Sequence, residues 1–357
     1  MNKQVELLCS QQVTQYPVLE TQDLVKALYQ ATFGCGHLIS DPEMGRKWLR
    51  EEMEQCTLPA PSNCPPLVES LGAYSRVHLQ AARRQGLSPD TLFALFALSA
   101  QKNSGRMDDF QEQLKLLEQM AENKQLPVTL PQAQAYLTEY KAQGCPAARH
   151  SPAFREAYAP AYRVIRSEYT PFLPVFTLID RLMMANKPIT IAIEGGSASG
   201  KSTLGQLLTQ VYDCSLFHMD DFFLQPHQRT PERFSEPGGN VDYERFKKEV
   251  LLPLRSRTPF AYRPFSCSTM TLDEPVHVNP KQLCVVEGAY SMHPALADDY
   301  DASIFLQIQP EKQAERILQR NGPVMQQRFL KEWIPLEMRY FDHCKVQERC
   351  TLTIPIQ

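Results

Sequence analysis

A strand–loop–helix unit near the middle of the chain limits its fold more than any other feature. Gly195-Gly196-Ser197-Ala198-Ser199-Gly200-Lys201-Ser202 fits G-x-x-x-x-G-K-S/T, the phosphate-binding P-loop pattern. Ahead of it, Ile189-Thr190-Ile191-Ala192-Ile193 is a short β-branched run of the kind that forms a buried parallel strand. Behind it, Thr203-Leu204-Gly205-Gln206-Leu207-Leu208 reads as the first turns of a helix. The glycines let successive backbone N–H groups point inward, and the helix N-terminus adds its positive dipole end. Residues 195–203, through Thr203, are therefore expected to cradle the phosphates of a nucleoside triphosphate. Lys201 would reach the β- and γ-phosphates, and the Ser202 hydroxyl would ligate Mg²⁺.

The rest of the second half alternates strand and helix. Strands are expected at 189–194, 214–219, 282–287, 302–308 and 350–355, and helices at 201–212, 242–256, 310–321 and 325–345. That alternation predicts a doubly wound parallel sheet. The first half differs. Leu24–Tyr29, Thr91–Leu98 and Asp109–Leu117 have helical composition; Ser88-Pro89-Asp90 and Pro131 are start signals, and Gly144 a stop. We expect a helical accessory domain over 1–145, a packed connecting strap over 146–174 and an α/β nucleotide-binding domain over 175–357.

At 357 residues, 43% of them hydrophobic, the chain is long enough for two domains with proper cores. Its formal net charge of −3 provides no basic field for nucleic acid. It contains no apolar run of membrane-spanning length and no signal-peptide h-region at its start. A cytoplasmic setting is expected, with the ten scattered cysteines as free thiols.

Three segments extend the phosphate loop into a candidate catalytic site. The strand at 214–219 ends in Asp220-Asp221. A carboxylate there lies outside the carboxyl end of a sheet strand, where ligands bind, and can accept a proton from an attacking hydroxyl. The strand at 282–287 ends in Glu287-Gly288, a Walker B-like acid suited to holding Mg²⁺. Arg316 and Arg320 lie four apart on one helix, with Arg328 beyond, and can close over phosphates.

GGSASGKST, MDDFF, GGNVDYERF, AYRPF and VVEGAYSMHP, in this order, resemble the uridine kinase/phosphoribulokinase family over about residues 185–357. The resemblance implies a P-loop kinase that uses ATP and Mg²⁺ to phosphorylate a hydroxyl of a small metabolite. It implies Asp220 as general base, Asp242 and Tyr262 as acceptor-binding residues, Glu287 as the Walker B-like acid, and Arg316 and Arg320 as lid arginines. Where uridine kinases carry a His-Ser-Arg element, this chain has Ser266-Cys267-Ser268-Thr269. Trp333–Glu337 and Tyr340-Phe341 sit where the family varies, so the acceptor stays open between a nucleoside, another sugar and a vitamin precursor. The partner expected is a small-molecule acceptor, not nucleic acid or a membrane, and an oligomer is compatible with the sequence.

Two rival readings are a P-loop ATPase or GTPase switch and a regulatory nucleotide-binding protein. No guanine-reading Asn/Thr-Lys-x-Asp follows the loop, and Lys201, Ser202, Asp220 and Glu287 are all present. In the first half, Cys35 and His37 lie two residues apart in Phe33-Gly34-Cys35-Gly36-His37, a spacing suited to a tight turn rather than a nucleophile–base pair or a metal site. Arg76 and His78 could line a polar pocket, but read better as partly buried, satisfied side chains.

Overall fold

The structure, a computed structural model, describes residues 2–35, 41–58 and 64–356. The chain divides into two compact units, Met1–Asp180 and Arg181–Gln357. Among the described residues, no helix is long and apolar enough to cross a membrane.

The first unit is mainly helical. Helices Asn2–Gln15, Thr21–Phe33, Met107–Glu122 and Leu130–Ala142 pack around Leu24, Leu28, Phe110, Leu114, Leu117 and Leu137. Local capping chemistry starts two of the expected helices. Ser88 accepts a hydrogen bond from the Asp90 N–H at the head of Pro89–Gln101, and Thr129 forms a capping box with Gln132. A three-stranded antiparallel sheet, Val68–Ser70, Tyr74–His78 and Tyr162–Arg166, joins the helices. The sequence reading did not include it. All five residues of Tyr74–His78 are buried, so the strand lacks the apolar–polar alternation that marks a half-exposed one. The segment expected as a strap supplies the third strand and helix Pro152–Tyr158.

In the second unit, strands β1 (Ile189–Gly195), β2 (Cys214–His218), β3 (Leu283–Glu287), β4 (Ala302–Ile308) and β5 (Leu352–Ile356) form one parallel sheet. Their order is β5-β4-β1-β3-β2, with every pair parallel. All seven residues of β1 and all five of β3 are buried, which is why these strands read as unbroken apolar runs. This is the doubly wound P-loop kinase fold. The chain leaves β1 through helix α1 (Lys201–Val211) and returns as β2, two places away. The carboxyl ends of β1 and β3 thus flank the switch point at which such sheets bind ligands. Register sets the site: Glu287 pairs with Ile193 of β1 and with His218 of β2.

Helix α2 (Pro310–Arg328) follows β4 and bends at Gly322, whose φ of +77° breaks the helical path just before Pro323. A π-helical turn, Phe329–Trp333, leads into helix α3 (Ile334–Cys344). The helix expected over 242–256 forms as Tyr243–Phe246, a π-helical turn Lys247–Leu251 and Leu252–Ser256.

Candidate functional site

The P-loop connects β1 to α1 through three left-handed residues, Gly195, Ala198 and Gly200, with φ of +147°, +59° and +100°. A Cβ at Gly195 would come within 2.6 Å of the Leu306 carbonyl oxygen and 2.9 Å of Ser199 Oγ, so the loop root admits only glycine. Lys201 Nζ donates to the Gly195 and Gly196 carbonyl oxygens, at 2.8 and 3.0 Å. Ser199 Oγ is buried without a hydrogen-bond partner. Ser202 and Thr203 are exposed on the first turn of α1, where helix N–H groups lack partners within the helix. An orphan hydroxyl, a lysine hydrogen-bonded to two carbonyls and a curled glycine loop at a helix N-terminus suit the phosphates of a nucleotide.

The carboxylates gather at the carboxyl ends of β2 and β3. Asp220, two residues past the end of β2, is open to solvent. Partial desolvation by the surrounding protein raises its pKa, the charge of Glu287 adds to the rise, and Lys201, His218 and Arg320 oppose it. Glu287 is buried and accepts a hydrogen bond from His218 Nδ1 at 2.5 Å. This contact raises the His218 pKa against the opposing effect of burial. One carboxylate oxygen of Glu287 and the Ser202 hydroxyl are hard oxygen donors of the kind Mg²⁺ takes. Asp221, beside the expected base, accepts from the Tyr262 hydroxyl at 3.2 Å.

The other expected residues have more local engagements. Asp242 is buried and caps helix Tyr243–Phe246, accepting from the Arg245 N–H at 3.1 Å and from Gln228 Nε2 at 2.9 Å. Arg316 reaches the Ala198 carbonyl oxygen at 3.4 Å, so α2 lies against the loop. Arg320 is exposed and donates to Asn321 Oδ1. Arg328 pairs with Glu332 and lies over Trp333, along its own helical segment.

The first-unit candidates form no comparable centre. Arg76 is fully buried, ion-paired to Glu69 at 2.8 Å and hydrogen-bonded to Gln12 and Gln30; His78 contacts the same Glu69 at 3.1 Å. Burial pushes the Cys35 thiol up to about 12, the reverse of nucleophile activation. His37 lies outside the described residues. Among the described residues, no group of three or more potential ligands is placed to hold a metal ion.

Sequence reasoning missed four side chains at the loop. Glu194 is fully buried; it accepts from the Gly195 and Met292 N–H groups and from the Tyr340 hydroxyl. Burial raises its pKa to about 7 against those contacts. A carboxylate within the apolar run of β1 was the available signal. Gln313 on α2 and Glu337 on α3 both bind Ser197, and His218 holds Glu287. These three had no signal short of the tertiary fold.

Fold and loop together define a P-loop kinase fold with a nucleotide-type phosphate cradle. No protein-family model matches the chain, and no curated protein matches it. Among solved structures, the chain is similar to a protein described as a possible uridine kinase from Bacillus stearothermophilus. The identity is 19% over 49% of this chain and 96% of that one, with a TM-score of 0.38. It is also similar to D-glycerate 3-kinase from Cryptococcus neoformans var. grubii, at 15% identity over 43% and 79% of the two chains and a TM-score of 0.32. A third is shikimate kinase from Acinetobacter baumannii in complex with shikimate, at 18% identity, 46% and 82% coverage and a TM-score of 0.26.

Proposed function

We propose that the chain is an ATP-dependent small-molecule kinase acting on a hydroxyl of a nucleoside or related metabolite. The observation that carries this reading is the placement of Asp220, a solvent-reachable carboxylate at the end of β2 on which the charges of the P-loop Lys201 and of Glu287 both act. A nucleotide switch has no use for a carboxylate base open to an alcohol; a kinase does.

ATP supplies the γ-phosphoryl, and Mg²⁺ supplies positive charge that neutralises its oxygens. The residues that would hold them are Gly195–Thr203 for the phosphates, with Ser202 and Glu287 for the metal. Lys201 exchanges its two carbonyl contacts for phosphate oxygens and stabilises the charge that builds as the β–γ bridge breaks. Asp220 takes the acceptor proton at a carboxylate oxygen. Arg316 and Arg320 add positive charge from α2. Asp242 and Tyr262 border the acceptor side, Asp242 through the helix it caps and Tyr262 through Asp221.

The test is an ATP-consumption screen against nucleosides, sugars and vitamin precursors. Acceptor-dependent ADP release supports the proposal. Hydrolysis indifferent to every acceptor points to an ATPase, and binding without turnover to a regulatory protein.

A further inference from the structure

We propose that Glu337 and Gln313 form a clamp on Ser197 that positions the P-loop for nucleotide and ties it to the arginine-bearing helix α2; this rests on the reading of the loop as the ATP site. Every polar group of Ser197 is held from outside the loop. Its N–H donates to Glu337 Oε2 at 2.9 Å and its hydroxyl to Glu337 Oε1 at 2.6 Å. Its carbonyl oxygen accepts from Gln313 Nε2 at 2.8 Å.

The clamp spans two helices. On α3, Glu337 and Tyr340 are three residues apart and share a face, and Tyr340 holds Glu194, which in turn holds the Gly195 N–H. On α2, Gln313 and Arg316 are likewise three apart and reach the carbonyl oxygens of Ser197 and Ala198. Residues 195–198 are thereby fixed from two sides. The first N–H groups of α1, which have no partner within the helix, are left for phosphate.

Burying a carboxylate is costly unless it is hydrogen-bonded. Glu337 is only 5% exposed, and both of its oxygens are used on one residue. Such charge-assisted pairs are the stronger and more directional kind of hydrogen bond. The Cβ of any residue replacing Gly196 would meet Gln313 Nε2 at 2.9 Å, so a side chain there would push the Gln313 amide out of its contact with the loop. Glu337 is a positioning residue: it acts through Ser197.

The experiment is calorimetric titration of ATP with Mg²⁺ into the full chain, with thermal unfolding of each ligand-free variant as a fold control. Glu337→Ala is expected to weaken ATP binding ~tenfold or more, and Gln313→Ala ~threefold to tenfold. Glu337→Gln is expected to stay within ~threefold of wild type, because its amide oxygen can accept the Ser197 N–H while its NH₂ donates to Ser197 Oγ. Combining Glu337→Ala with Gln313→Ala is expected to cost less than the sum, since both act on one residue. If Glu337→Ala does not fold, Gln313→Ala and Glu337→Gln decide. Wild-type ATP affinity in Gln313→Ala and folded Glu337→Ala overturns the clamp. So does tighter binding in Glu337→Ala and Glu337→Gln alike, which would make the carboxylate an obstacle to phosphate. Lys201→Ala separates the two levels. If wild type and Lys201→Ala take up ATP equally, or neither does, the ATP-site reading fails and the clamp falls with it. If only wild type binds and the clamp variants match it, the clamp alone is refuted.

Discussion

Asp220 and Asp221 are adjacent carboxylates with different surroundings, and their separate replacement by asparagine tests the proposed chemistry. Asp220 is open to solvent, and among the described residues no hydrogen-bond donor is aimed at it as Tyr262 is aimed at Asp221. Asn at 220 keeps the shape and removes the proton acceptor. A general base contributes ~10²–10⁴-fold, so kcat in Asp220→Asn is expected to fall by that factor, or ~3–5 kcal/mol of barrier. ATP affinity is expected to hold or improve, since a negative charge near Lys201 is gone. Asp221→Asn only weakens one hydrogen bond from Tyr262, worth ~1 kcal/mol, so a loss of ~fivefold is expected. The pH profile supplies an independent sign. Asp220 must be ionised to act and its pKa is raised, so kcat/KM is expected to fall as pH drops through that raised value. This acid limb is expected to vanish in Asp220→Asn. Steady-state kinetics and ATP titration on both variants make the measurement. An inactive Asp221→Asn beside an active Asp220→Asn would refute the assignment of the base.

Lys201→Ala is expected to lower kcat on the order of a hundredfold or more with the fold intact; near-wild-type turnover in a folded variant would remove the P-loop from the chemistry. In the first unit, Arg76→Ala removes the guanidinium paired with buried Glu69 and leaves it to His78, Gln12 and Tyr16, so thermal melts are expected to show a loss of ~3–5 kcal/mol, and a loss below ~1 kcal/mol would contradict a buried ion pair. Burial opposes ionisation of Glu69, but hydrogen bonding from His78, the Arg76 charge and the Gln12 and Tyr16 contacts bring its pKa from 4.5 down to about 2. Its stabilisation is therefore present above pH 4.5 and lost as pH falls towards 2; acid titration of Glu69→Gln is expected to lack that part of the limb. A fragment beginning at Leu173 is expected to bind ATP and transfer phosphoryl with raised KM for acceptor, whereas binding without transfer at saturating acceptor would place catalytic residues in the first unit.

Much of the second unit was legible in the chain because its signals are local. β1 and β3 are buried on both faces and announce themselves as apolar runs, and the P-loop is one contiguous string whose glycines are required by backbone angles and close approach. The carboxylates at Asp220 and Glu287 were legible because they end such strands. Features that depend on distant segments meeting were not. The strand Tyr74–His78 carries an arginine and a histidine inward, which Glu69, Gln12, Gln30 and Tyr162, brought in by other elements, make tolerable. Asp242 reads as an acceptor ligand from its motif, and only the fold reveals that it caps a helix and holds Gln228. Ser197 looked like one more loop residue. That its hydroxyl and N–H meet Glu337, 140 positions away, is decided by the docking of α3 against the loop, since a hydrogen bond depends on distance in space and leaves no trace in local composition.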